Sequence, residues 1–198
     1  MVSLDGFFAG PRGEFDWPLV DEGFNQFAID QLDAVDTLLF GRVTYEGMAS
    51  YWPTAATSPS GTLKSDIGVE FAVPTSASDY HARIADKMNT LPKVVFSKTL
   101  KKVEWNNSTL VKEVVPGEIM KMKRQPGKDM VIFGSADLVS TLTNHGLIDE
   151  YRLFVNPIVL GDGKPLFKDV SERQKLKLVN TKPFTTGVVG LFYQKSKE

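Results

Sequence analysis

The sequence predicts a single α/β domain with a mostly parallel sheet and an antiparallel C-terminal edge. Three observations lead there. Apolar, strand-like runs alternate with helical patterns along most of the chain. Two of those runs, Thr37-Leu38-Leu39-Phe40 and Met130-Val131-Ile132-Phe133, end in a glycine that opens a helical segment. The last two strand-like runs follow each other with no helix between them, as an antiparallel pair does. With 198 residues, 42% of them hydrophobic, one core is affordable, and the expected domain spans 1–198.

Each element has a local reason. Met1-Val2-Ser3-Leu4 reads as the last part of a strand cut short: either an edge residue or two suffice there, or the natural chain begins a few residues earlier. Asp21 to Val35 reads as a helix, because Phe24, Phe27, Ala28 and Leu32 share one face. Asp36 to Phe40 is a buried strand, followed by a short helix after Gly41. Tyr51 to Ser76 lacks periodicity, is rich in Pro, Thr, Ser and Gly, and is expected to be a long surface excursion. Asp79 to Asn89 is helical; Lys93 to Phe96 and Thr109 to Val111 are strands. Pro116 suits the first turn of a helix that Pro126-Gly127 stops. Met130 to Phe133 is a strand, and Ala136 to Asn144 a helix capped by Gly146. Tyr151 to Leu160 is a strand interrupted by Pro157. Leu176 to Thr181 and Val188 to Gln194 close the fold.

Several classes of function are excluded or disfavoured by composition. Acidic and basic residues nearly cancel, 24 against 23, so nothing asks for nucleic acid or a membrane surface. Cysteine is absent, which removes disulfides, thiolate nucleophiles and Cys-ligated zinc. No apolar run approaches the about 20 residues that span a bilayer, and the expected location is cytoplasmic. The glycosylation patterns at Asn106 and Asn107 are then idle. No GxxxxGK[ST] or GxSxG motif occurs. Neither His81 nor His145 stands in metal-ligand or triad spacing, and His145 reads as a residue compatible with a helix C-terminus.

The two strand–glycine–helix junctions carry the chemistry. A glycine there lets a phosphate approach the backbone, and the helix N-terminus offers open N–H groups at the positive end of its dipole. Glycines also serve such junctions simply for chain reversal. Two of them could clamp a doubly phosphorylated ligand such as a dinucleotide. Ser97-Lys98-Thr99, ending a strand, supplies hydroxyls and a cation for a ribose or its 2′-phosphate, or is a solvated strand end; Arg42 adds a planar fork. Asp5 is either a group facing the ligand crevice or the first half of an Asp-Gly turn. Trp17 is pocket wall or core, and Asn156 a structural anchor or a substrate contact. Gly161-Asp162-Gly163 is a tight turn or lines a pocket, since Leu166 occupies the third position of a GxGxxG pattern.

Taken in order, SLDGFFAG, FDW, LLFGRVTYEGM, VVFSKTL, MVIFGSADLVSTL and GLIDEYRLFVNPIVLGDGKPLF resemble the dihydrofolate reductase-like superfamily. Within it, the chain is most similar to stand-alone relatives of the C-terminal reductase domain of the bifunctional riboflavin-biosynthesis deaminase-reductase. The resemblance implies a three-layer fold, with a mixed central sheet of about eight strands flanked by helices, and NADPH laid across the strand ends. It implies that Gly41, Arg42 and Thr44 hold the phosphate side of the cofactor. Ser97, Lys98 and Thr99 would face the adenosine ribose, and Gly134, Ser135, Ala136 and Leu138 the pyrophosphate and nicotinamide ribose. Asp5, as the catalytic acid–base or orienting group, would line the substrate pocket with Trp17, Met48 and Asn156. An apolar pocket would raise the pKa of Asp5. The Phe8 to Trp17 loop would cover the site.

Two departures qualify the resemblance. Ser135 stands where dihydrofolate reductases carry a second glycine, so its Cβ is expected to limit approach of the pyrophosphate. No pterin-binding carboxylate is fixed, although Asp21 and Glu22 lie near the place. The zinc deaminase domain has no counterpart in these 198 residues. The expected activity is NADPH-dependent reduction of a pyrimidine- or pterin-like heterocycle, as in 5-amino-6-(5-phosphoribosylamino)uracil reduction, by a homodimer. Dihydrofolate reduction proper, or nucleotide binding without turnover, are the alternatives.

Overall fold

The computed structural model of the protein describes residues 1–55, 62–64, 70–72 and 79–196. The elements run β1 (Phe7–Ala9), α1 (Glu22–Asp33), β2 (Val35–Gly41), α2 (Arg42–Ala55), β3 (Thr62–Lys64), β4 (Glu70–Ala72), α3 (Asp79–Thr90), β5 (Lys93–Phe96), β6 (Ser108–Val111), α4 (Pro116–Arg124), β7 (Asp129–Ile132), α5 (Ala136–Asn144), β8 (Glu150–Val155), β9 (Lys164–Pro165), β10 (Leu176–Pro183) and β11 (Val189–Lys195). Most of the expected elements stand within a residue or two of their sequence positions.

The centre is a parallel sheet in the order β6-β5-β2-β7, with helices on both faces. Alternation along each strand sorts the side chains. Leu38 and Phe40 of β2, Val95 of β5 and Val131 of β7 face a core completed by Leu32 of α1, Tyr45 of α2 and Met88 of α3. Leu39, Val94, Met130 and Ile132 face the other way, onto Ile119 of α4 and Leu138 and Leu142 of α5. Three layers result.

The C-terminal strands form an antiparallel sheet in the order β10-β11-β8. Its packed face carries Phe154, Phe184, Val188 and Phe192, against which α1 sets Phe24 and Phe27. One helix thus serves both sheets: its N-terminal half seals the antiparallel part and Leu32 the parallel part. Asp21 caps α1 by accepting from Phe24 N–H at 2.7 Å.

Four details differ from the sequence expectations. The strand after Glu150 ends at Val155, because the Asn156 side chain and Pro157 turn the chain out of the ladder. The helix after Gly41 is not short but runs to Ala55, through Pro53, because Tyr51 and Ala55 bury themselves against Ala85 of α3. Of the expected excursion, 62–64 and 70–72 form the antiparallel pair β3–β4, and its other residues beyond Ala55 lie outside the described residues. Finally, the mixed sheet of about eight strands is divided into two ladders. Among the described residues β7 pairs with β2, and β8 pairs with β11 and, through one isolated parallel bridge at Val155, with Val2.

Candidate functional site

Because β2 and β7 are neighbours in register, their C-terminal ends lie side by side, and so do the helices that follow. The two glycine junctions, far apart in sequence, become one surface. A hydrogen bond fastens them: Gly41 N–H donates to Ser135 Oγ at 2.9 Å. A Cβ built on Gly41 would come 3.5 Å from the Ser135 side chain, an ordinary contact.

The β7–α5 junction has an unusual backbone. Gly134 at φ 63° and Ser135 at φ 58°, ψ 61° are consecutive left-handed residues. This conformation is natural for Gly134 and costs Ser135 on the order of 1 kcal/mol. Successive left-handed turns before a helix present backbone N–H groups to an anion. Ser135 is the N-cap of α5, yet its side chain caps no N–H of that helix, because its hydroxyl is committed to Gly41. The first-turn donors of α5 therefore have no side-chain cap. The expected obstruction by Ser135 is relieved in the same way: its side chain, 9% exposed, is turned inward against the β2 junction.

The remaining candidate residues fall into two groups. Thr44 and Met48 of α2 line the same large cavity as Gly134 and Ser135. Met48 Sδ also accepts from Trp52 Nε1 at 3.0 Å. Ala136 and Leu138 are buried in the first turn of α5, where only their backbone is available to a ligand. Ser97 is buried at the end of β5, and its hydroxyl accepts from Leu100 N–H at 3.0 Å and Thr99 N–H at 3.3 Å. It shapes the turn that displays Lys98 and Thr99 to solvent. Arg42 is exposed and pairs with Glu46 at 2.9 Å on its own helix.

Three others are placed away from that surface. Asp5 does not line the cavity. Its carboxylate accepts from the Ser3 hydroxyl at 2.6 Å, Gly161 N–H at 2.8 Å and Leu160 N–H at 3.2 Å. The Ser3 bond first, and the two backbone donors after it, outweigh desolvation and hold its pKa below the usual value, opposite to the sequence expectation. Asn156 is fully buried, accepts from Leu19 N–H at 2.8 Å and donates to Phe154 C=O at 3.3 Å, so it knits backbone together. Trp17 stands edge-on to Phe15, and its buried Nε1–H has no partner among the described residues. It is Phe15 rather than Trp17 that reaches the cavity.

Neither carboxylate at the start of α1 is free. Asp21 accepts from Phe24 N–H and from Thr185 N–H and Oγ1, and the Thr185 hydroxyl leads the causes that lower its pKa. Glu22 accepts from Tyr80 at 2.9 Å.

Sequence reasoning missed Lys164 and Phe15, which line the cavity. Lys164 lies in β9, which pairs with β1. That pairing is close: a Cβ on Gly163 would fall 2.5 Å from Ala9 C=O. The 161–163 loop is thus a tight turn, with Gly161 at φ 76°, that delivers Lys164 to the cavity wall. The lysine within GDGKPLF was the available signal. The 8–17 loop is held by Gly10 N–H to Glu14 C=O at 2.9 Å and by the Arg12–Glu14 ion pair. Among the described residues no cluster of His, Asp and Glu could hold a metal ion, and no helix is long and apolar enough to cross a membrane.

A three-layer α/β fold with two glycine-led helix N-termini at adjacent parallel strand ends defines the dihydrofolate reductase-like class. The chain belongs to the RibD C-terminal domain family, whose model matches residues 1–190. It is 36% identical over 194 residues to the Bacillus subtilis (strain 168) "Uncharacterized protein YyaP", covering 97% of this chain and 90% of that one. Among solved structures, the "Putative riboflavin biosynthesis protein" of Shewanella sp. PV-4 superposes with a TM-score of 0.69 at 23% identity, covering 99% of this chain and 96% of that one. Dihydrofolate reductase from Enterococcus faecalis, complexed with NADP(H), gives a TM-score of 0.58 at 15% identity, covering 99% and 93%.

Proposed function

We propose that the protein is an NADPH-dependent reductase of a pyrimidine- or pterin-like heterocycle. The observation that carries this reading is the union of the Gly41 and Gly134–Ser135 junctions by the Ser135–Gly41 bond. It sets two helix N-termini, of α2 and α5, side by side, an arrangement that suits a pyrophosphate. The family relation agrees, since a Thermotoga maritima relative of the same fold is a deaminase and 5-amino-6-(5-phosphoribosylamino)uracil reductase.

In this reading the Gly41 N–H stays with Ser135 and lets the chains approach, the backbone N–H groups at Arg42 to Thr44 and at Gly134 to Leu138 hold the pyrophosphate, and Lys98 with Thr99 meets the adenosine ribose and its 2′-phosphate. When bound, the nicotinamide supplies a hydride to the acceptor carbon. Phe15 and Met48 wall the acceptor's site and exclude water, and Lys164 offers a cation to an anionic substituent of the substrate. Asp5 is a positioning residue, fixing the 160–161 turn that leads into Lys164.

A pyrimidine substrate is favoured over dihydrofolate because Asp21 and Glu22 already accept hydrogen bonds from Thr185 and Tyr80 of the same chain. Fluorescence titration with NADPH and NADH, followed by turnover on a ribosylamino-pyrimidine phosphate and on dihydrofolate, tests the proposal. NADPH binding with turnover on the pyrimidine supports it. Turnover on dihydrofolate alone would replace it with the pterin reading, and tight NADPH binding with no turnover on either would leave a nucleotide-binding protein. The proposed assembly is a homodimer; a sedimentation mass near 21.9 kDa at micromolar concentrations would remove that part.

A further inference from the structure

The chain contains two Asp-Gly pairs, Asp5-Gly6 and Asp162-Gly163. Such a pair carries its own chemistry. The glycine has no Cβ to shield its backbone nitrogen, which can bond to the aspartate Cγ and close a five-membered succinimide. Whether the ring forms depends on how the fold holds the nitrogen and the carboxyl.

The two pairs are held in opposite ways. The Asp5 carboxylate accepts from the Ser3 hydroxyl at 2.6 Å, Gly161 N–H at 2.8 Å and Leu160 N–H at 3.2 Å. Gly6 N–H donates to Ser3 C=O at 3.0 Å, so both reacting groups are engaged elsewhere. The Ser3 bond, ahead of the backbone donors, holds the Asp5 pKa below its usual value, and an ionised carboxylate has no good leaving group. Asp162 is exposed, and Gly163 N–H donates to Asp162 Oδ1 at 2.7 Å. That nitrogen is already turned towards the side chain it would attack.

The turn around Asp162 is fixed at both ends. Upstream, Asp5 binds the Leu160 and Gly161 N–H groups. Downstream, Lys164 and Pro165 pair with Ala9 and Phe7 of β1. Gly163 lies so close to β1 that a Cβ on it would fall 2.5 Å from Ala9 C=O and 3.0 Å from Phe7 Cβ.

We propose that Asp162-Gly163 is a self-modifying site, where the folded chain converts aspartate to isoaspartate and thereby loosens Lys164 from the cavity wall. The Gly163 nitrogen bonds to Cγ of the protonated Asp162 carboxyl. The carboxyl O–H leaves with the amide proton as water. Water then adds to either ring carbonyl. Addition at Cγ breaks the Cγ–N bond and restores aspartate. Addition at the main-chain carbonyl carbon breaks its bond to nitrogen, leaving a free α-carboxylate and a chain that runs through Cβ and Cγ. One water is lost and one gained, with no oxidation. The isoaspartyl chain is one methylene longer, and a turn fixed at both ends takes that up by parting Lys164 and Pro165 from β1. The inference is independent of the proposed reductase activity.

The test incubates the folded protein in heavy-oxygen water at neutral pH, beside a sample unfolded in urea. Peptide mass spectrometry reads heavy-oxygen uptake at each pair, and an isoaspartyl methyltransferase reads isoaspartate. In the folded protein, uptake at Asp162 should exceed that at Asp5 by about tenfold or more, and in urea the two should converge. No uptake at Asp162, uptake at Asp5 that equals or exceeds it, or the same ratio in both samples would overturn the proposal. Asp162→Glu keeps the charge but could close only a less favoured six-membered ring, so uptake at that position should vanish. Hydrogen exchange reads the consequence. Amides of Phe7 to Ala9 should exchange about tenfold faster in isoaspartate-bearing protein than in fresh protein, while aged Asp162→Glu holds its protection. Unchanged protection of β1 in the isoaspartate-bearing fraction would overturn the loosening of Lys164.

Discussion

The parallel and antiparallel halves of this molecule solve different problems. β2 lies under helices on both faces, with Leu38 and Phe40 fully buried on one and Leu39 on the other. β10 is exposed along most of its length, with Leu178 and Val179 nearly half accessible. The parallel half must cross over through helices, so its strand ends are followed by helix N-termini. The antiparallel half returns through a short turn and offers no such ends. The glycine-led helix N-termini and the strand buried on both faces therefore fall in the same half, while the antiparallel half braces it through α1.

The largest contrast is in stability. Phe40→Ala is expected to cost about 3–5 kcal/mol, and Leu178→Ala in β10 below about 1 kcal/mol, both by urea denaturation. Equal losses would mean that the two halves share the core evenly. Next, Gly134→Val places a β-branched residue at φ 63° in the cradle. NADPH affinity should fall tenfold or more, about 1.4 kcal/mol, with far-UV circular dichroism unchanged; unaltered affinity would detach the cradle from the cofactor. Third, Lys98→Ala should shrink the preference for NADPH over NADH by about tenfold, the scale of a charge-assisted contact. An unchanged ratio of dissociation constants would return the Ser97-Lys98-Thr99 turn to a purely structural role.

Lys93 sharpens the comparison through pH. It is buried in β5, donates to the carbonyls of Asn89, Leu91 and Asn106, and sits over the Trp105 ring. Burial lowers its pKa from 10.5 to about 8. Between those values the unfolded chain binds more protons than the folded one, so unfolding free energy rises with pH from about 8 to 10.5 and is flat below. Chemical denaturation across that range should show the rise, and Lys93→Met should abolish it. Asp5→Asn is the smallest expected effect. Loss of the anionic acceptor from Ser3, Leu160 and Gly161 should lower the melting temperature while turnover per folded molecule holds; a collapse of turnover with NADPH affinity intact would make Asp5 catalytic after all.

Much of this was written locally. The helix of Asp21 to Val35 is legible because Phe24, Phe27, Ala28 and Leu32 repeat on one face, and the strands at 36–40 and 130–133 because apolar runs end in glycine. The order of motifs carried the family. Other features depend on pairs remote in sequence. That Ser135 serves Gly41, 94 residues away, follows from β2 lying against β7. That Asp5 locks the turn at Leu160 and Gly161 is a contact across 155 residues or more. Lys164 reaches the cavity through the pairing of β9 with β1.

By itself the sequence determined which segments are helix or strand, since hydrophobic period and glycine placement are short-range properties. It also marked two strand ends that run through a glycine into a helix. Only the tertiary structure decided that those ends are neighbours, and that Asp5, Asp21 and Asn156 spend their polar atoms on partners within the chain itself. The reason is physical: a polar side chain takes whatever partner the packed chain brings within hydrogen-bonding distance, and strand order is set by burial across the whole domain rather than by any local run of residues.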